Sequence, residues 1–147
     1  MTKTQNNNDS LGRGIAVGVI TSILTAIVMI VATKTGMSPF PKPPSLAFAE
    51  TLLGHALPMP VGLLFHTAYV TFWAVLFVRF FPSQKLKTAL ALAGALWVVI
   101  LLVFFPIIGW GVAGSHISPK LIPASFMPHL LFGLLIWAVN KYLPHKS

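Results

Sequence analysis

The sequence predicts an all-α fold, a four-helix bundle integral to a membrane, and three observations predict it. Apolar runs cover residues 14–33, 61–80, 89–105 and 130–139 with its apolar flanks, and each approaches the roughly 20 residues a helix needs to cross the hydrocarbon of a bilayer. The chain of 147 residues is 56% hydrophobic and only 8% charged, more apolar surface than a soluble core of this size hides behind a polar cover. Ten Lys and Arg stand against Asp9 and Glu50 alone, for a formal net charge of +8, and the basic residues sit singly at the ends of the runs. That distribution is the pattern of membrane anchors and topology signals, and it excludes a nucleic-acid-binding patch. Cysteine is absent, so disulfides, thiolate metal sites and a cysteine nucleophile are excluded.

In chain order, residues 1–12 are polar, with Asn6, Asn7 and Asn8 in succession, and read as a disordered cytoplasmic tail. The first helix, about 13–34, is longer than the apolar stretch of a secretory signal and is read as retained. Gly14, Gly18, Ser22 and Ala26 recur every four positions along it, a stripe that lets another backbone approach. Either it packs inside one bundle, with Ala91 and Ala95 of the third helix as the facing surface, or it is a dimerisation face. Gly36, Pro39, Pro41, Pro43 and Pro44 then enforce an extended connection, after which Ser45 caps a short interfacial helix over 46–57, ended by Pro58 and Pro60.

The second spanning helix is placed at about 60–80 and the third at about 86–106, joined by the short turn 81–87. A longer connection, 106–128, carries Gly109, Gly111 and Gly114, with Trp110 positioned for an interfacial aromatic belt. The fourth helix follows at about 125–143, with Gly133 at a packing position and Tyr142 at the belt of the opposite side. The tail 144–147 holds His145, read as solvated.

Orientation follows from the positive charges. With the N-terminus cytoplasmic, the inner side holds Lys3, Arg13, Arg79, Lys85, Lys87, Lys141 and Lys146, and the outer side Lys34, Lys42 and Lys120. The excess places both termini inside, with the two longer connections outside. The segment from His66 through Trp73 to Pro82 resembles that from His129 through Trp137 to Pro144 with a one-residue offset, so the bundle reads either as two parallel-repeat hairpins or as a coincidence of apolar sequence.

The histidines carry the sharpest local signal. His66 and His129 lie inside helices, where ionisable side chains face a bundle interior or a watery cavity, and Tyr69 shares the face of His66. With His55, His116 and Glu50 they are expected at one outer mouth. Three readings stand: hydrogen bonds to neighbouring carbonyls, a ligand or proton site, and a metal or haem site with His66 and His129 as ligands. Catalytic material is scarce, because no nucleophile elbow, phosphate loop, paired carboxylates or HExxH is present.

The succession PFPKPPS, GLLFHTAYVTFWAVLF, LALAGALWVVILLVFFPIIG and PHLLFGLLIWAVNKYL resembles small bacterial inner-membrane proteins of the YagU-like kind and related domains of unknown function. The resemblance spans about 12–143, implies a similar fold and topology, and matches at His66, Pro106 and His129, while the outer connections are shorter here. It implies no reaction. The expected function is therefore a non-enzymatic binding or accessory protein of a bacterial inner membrane, with lipid, and a homo-oligomer or membrane-complex partner, as its surroundings. A small oligomeric transporter or channel component is the second expectation, and a haem- or metal-binding redox protein the third.

Overall fold

The computed structural model describes residues 3–144, with side chains from Asp9 onward; His145 and Lys146, assigned above to the solvated tail and the inner side, lie outside the described residues. Every regular element among them is helical: α1 (Lys3–Lys34), α2 (Pro44–Leu53), α3 (Met59–Phe80), α4 (Leu86–Ile107) and α5 (Leu121–Tyr142). Four of these are long and apolar enough to cross a membrane, making this a multi-pass membrane protein with an all-α four-helix bundle. Helices are the form such segments must take, since hydrocarbon offers no partner for a free backbone N–H or C=O. Large apolar side chains such as Ile23, Ile27 and Val31 accordingly face outward from α1.

Two antiparallel pairs make up the bundle, α1 with α3 and α4 with α5, and α1 also packs along α5. The small-residue stripe builds the first pair. A Cβ added at Gly18 would lie 2.5 Å from the Thr71 Cα, and one at Gly14 would lie 2.8 Å from the Val75 Cα, so the backbones touch there. The facing surface is thus α3; Ala91 and Ala95, the expected partners, are exposed on α4. In the second pair a Cβ at Gly133 would come within 2.9 Å of the Ala93 Cβ and 3.2 Å of the Ala89 carbonyl. The shared core joins Val17, Phe77, Leu96 and Ile136 from the four spanning helices.

Several boundaries differ from the expected ones for local reasons. The α1 helix runs back to Lys3 through the segment expected as a tail, because nothing from Thr4 to Gly12 breaks it. The α2 helix opens at Pro44 and has no side-chain cap from Ser45; it closes at Leu53 because Gly54 turns the chain with φ of 76°. The α5 helix begins at Leu121, four residues before the expected start, with Pro128 inside it. Within α4, residues Ile100–Phe104 form a π turn in which Phe105 N–H reaches the Ile100 carbonyl. Pro106 follows at once: it has no N–H for the Leu102 carbonyl, and in an unbroken α-helix its ring would clash with that carbonyl, which the wider turn avoids.

The end carrying the termini is tied by polar contacts. Arg13 Nε donates to Asn140 Oδ1 at 3.0 Å, while Nη2 donates to the carbonyls of Leu143, at 3.1 Å, and of Asn140. These are orphan acceptors at the close of α5, where a cation is favoured. Asn140 Nδ2 donates to Gln84 Oε1 at 2.7 Å, and Gln84 Nε2 to the Val78 carbonyl at 2.6 Å, so one chain of bonds links α1, α5, the 81–85 turn and α3. At the opposite end α2 crosses the start of α3, where a Cβ at Gly62 would meet Leu46 at 2.7 Å. Trp110 is 7% exposed and packs on Phe40 and Phe105, so it builds a small core under the connections in place of the expected belt.

Candidate functional site

The antiparallel pairing brings matched depths of four helices together. From Met59 to His66 is seven residues and from Leu121 to His129 eight, placing the two rings about 10 and 12 Å from the same end of the bundle at 1.5 Å per residue. Thr25 of α1 and Ile100 of the π turn lie near that level. The backbones of α3 and α4 stay apart and meet through side chains, and near this level the space between them is a cavity of about 400 Å³, within the range of small-molecule sites.

His66 and His129 both line this cavity. His66 Nε2 is 2.9 Å from Thr25 Oγ1, whose hydroxyl donates back along its own helix to the Thr21 carbonyl at 2.9 Å. The ring nitrogen is then the donor to Thr25, and its Nδ1 keeps a lone pair. His129 Nδ1 lies 2.7 Å from the Ser125 carbonyl. A carbonyl only accepts, so Nδ1 carries a proton, and because no described acid on this apolar wall could pair an imidazolium the ring is neutral with its lone pair on Nε2. Ser125 is itself held, its Oγ donating to the Ile122 carbonyl at 3.0 Å and accepting from Trp97 Nε1 at 3.1 Å. That serine and tryptophan carry no signal of their own in the sequence, because only the α4–α5 packing shows that they meet.

Aromatic rings form most of the remaining wall. Tyr69, expected beside His66, does line the cavity, with its ring edge-on to Phe104 at 5.8 Å. Phe48 of α2 bridges Phe65 and Phe104, at 6.2 and 5.1 Å, and closes the cavity toward the connections. Ala68 and Phe72 also line it, yet both are exposed on the outside of α3, Phe72 by 56%. Both stand near the middle of the 22-residue helix α3, so the cavity opens sideways at mid-span, where acyl chains would lie. Among the described residues no Lys, Arg, Asp or Glu lines it.

The other expected site residues lie elsewhere. Glu50 accepts from Lys42 Nζ at 2.6 Å and from the Leu57 backbone N–H at 3.2 Å. The Lys42 hydrogen bond, followed by that of Leu57, holds the Glu50 carboxyl below its ordinary value. Glu50 and His55 share a separate surface depression, with the His55 ring against the Ala56 carbonyl at 3.0 Å. His116 is exposed in the 109–118 turn, its Nδ1 3.3 Å from the Gly109 carbonyl. The single mouth expected is therefore three places: His66, His129 and Tyr69 share a cavity, Glu50 and His55 a surface depression, and His116 stands in the 109–118 turn.

One nitrogen of each ring is engaged by a hydroxyl or a carbonyl, which leaves the other for a ligand, but no described cation lines the wall for haem propionates and Lys42 is paired with Glu50. Among the described residues no group of three or more His, Asp or Glu is placed to hold a metal ion. No protein-family model, curated protein or solved structure matches the chain.

Proposed function

We propose that the chain is a bacterial inner-membrane protein, both termini cytoplasmic, that binds a small lipid-soluble molecule without transforming it. The observation that carries this reading is the cavity itself: two neutral imidazoles in an aromatic wall, open sideways at mid-span and free of acids and cations. Such a wall favours uncharged ligands, since a charge buried there has no partner. Kinship with the YagU-like proteins rests on the resemblance at His66, Pro106 and His129, and the orientation rests on the seven-to-three excess of basic residues at the end that carries the termini. Activity of a C-terminal reporter that works only outside the cytoplasm would reverse that orientation.

The transporter reading has less support, because the stripe it needs for oligomers is occupied by α3 inside the chain. Ala68→Trp tests the binding reading. Its indole would stand at the lateral opening, and labelling of Phe104 and Phe132 by a diazirine-bearing alkane in proteoliposomes should fall about tenfold while the unfolding midpoint stays within error. Labelling confined to the outward α1 positions Ile23 and Ile27, equal in both proteins, would sink it.

A further inference from the structure

The hydrogen-bond chemistry of the cavity narrows its ligand further, on the premise that it is a binding site. Each imidazole has one nitrogen committed to the protein and one left over. The Ser125 carbonyl fixes the proton of His129 on Nδ1, so Nε2 presents a lone pair. For His66 the Nε2 proton goes to Thr25, whose own hydroxyl proton is committed to its helix. No described residue donates to either remaining nitrogen, and both rings line the cavity. The Thr25 and Ser125 hydroxyl protons are already spent on helix carbonyls, so the two imidazole lone pairs stand as acceptors on a wall whose other hydroxyls are those of Tyr69 and Ser45.

We infer that the cavity selects a neutral lipophilic molecule bearing a hydroxyl, a phenol or a long-chain alcohol, which donates to His129 Nε2 while its tail leaves between α3 and α4. A ligand offering only acceptors, such as a ketone or ether, leaves both lone pairs unmatched in a dry site. A phosphate or carboxylate meets no cation there. The cavity accommodates a ring or a short head, and the exposed Ala68 and Phe72 edge leaves the tail in contact with lipid.

The test compares 4-nonylphenol with 4-nonylanisole, its methyl ether, which differs in lacking the donor. Binding to nanodiscs holding the full chain is measured by equilibrium dialysis, with protein-free nanodiscs subtracting partition into lipid. The phenol should bind about tenfold more tightly than the ether, the worth of one buried hydrogen bond. His129→Phe should bring the ratio to within about twofold without weakening the ether, and His129→Gln, which restores an acceptor, should recover part of it. Equal affinity of the two probes for the wild-type protein, or full preference kept by His129→Phe, overturns the inference while leaving an apolar binding site in place. Retention of neither probe above the lipid blank overturns the binding reading as well.

Discussion

Replacing Gly18 by alanine is the most direct perturbation of the bundle. The new Cβ would stand 2.5 Å from the Thr71 Cα, against about 3.4 Å for an ordinary close contact, so the two helices must separate by about 0.9 Å. Because the obstacle is backbone, no rotamer change relieves it, and the overpacking cost belongs at roughly 2–3 kcal/mol. Against that, alanine gains about 1 kcal/mol of helix propensity over glycine, leaving a net loss of about 1–2 kcal/mol. Gly12 and Gly94 are internal controls: a Cβ at either meets nothing within 4 Å, so alanine there should be neutral or add up to about 1 kcal/mol. Gly14→Ala, at 2.8 Å from the Val75 Cα, should fall between. Unfolding in mixed micelles with rising SDS, followed by circular dichroism, gives the order, and light scattering on the same samples gives the oligomer size. A Gly18→Ala protein that unfolds like wild type but changes its oligomer size would refute the packing assignment and return the stripe to an intermolecular face.

Two further outcomes follow from the ends of the bundle. Arg13→Ala removes the donors to Asn140 and to the last carbonyls of α5 and should lower stability by about 2 kcal/mol; Arg13→Lys, which keeps the charge and loses the fork, should recover less than half in the same SDS titration. At the other end, Glu50 has its carboxyl lowered by Lys42 and Leu57, so the tie it makes is fully present above the ordinary carboxylate range. It is lost as pH falls through the lowered value. Hydrogen exchange at the Leu57 amide should therefore stay slow, after correction for intrinsic rates, down to about pH 4.5 and accelerate below it, and Glu50→Gln should show the faster exchange already at pH 7. Protection that is unchanged in Glu50→Gln would refute the tie.

Run length and composition by themselves determined the class, because in lipid a long apolar segment has only the helix open to it. The stripe on α1 was equally legible as a close-approach surface, since glycine at every fourth position has one steric meaning. What it approaches was not: Ala91 and Ala95 have the right size, but the choice of Thr71 and Val75 depends on which helices pair. The same limit applied to the polar groups. His66 and His129 were recognisable singly, as ionisable residues in apolar runs, whereas their sharing of one cavity follows from the antiparallel pairing of the spanning helices, and the separation of Glu50 and His55 from them follows from the path of α2 across α3. Arg13 read as one more topology charge, yet its guanidinium closes α5 across 127 residues of sequence. Local pattern fixes what each segment must do with its own backbone, and that is why the spans were visible in advance. Which side chains meet is decided by close packing between segments distant along the chain, a property that no single run contains.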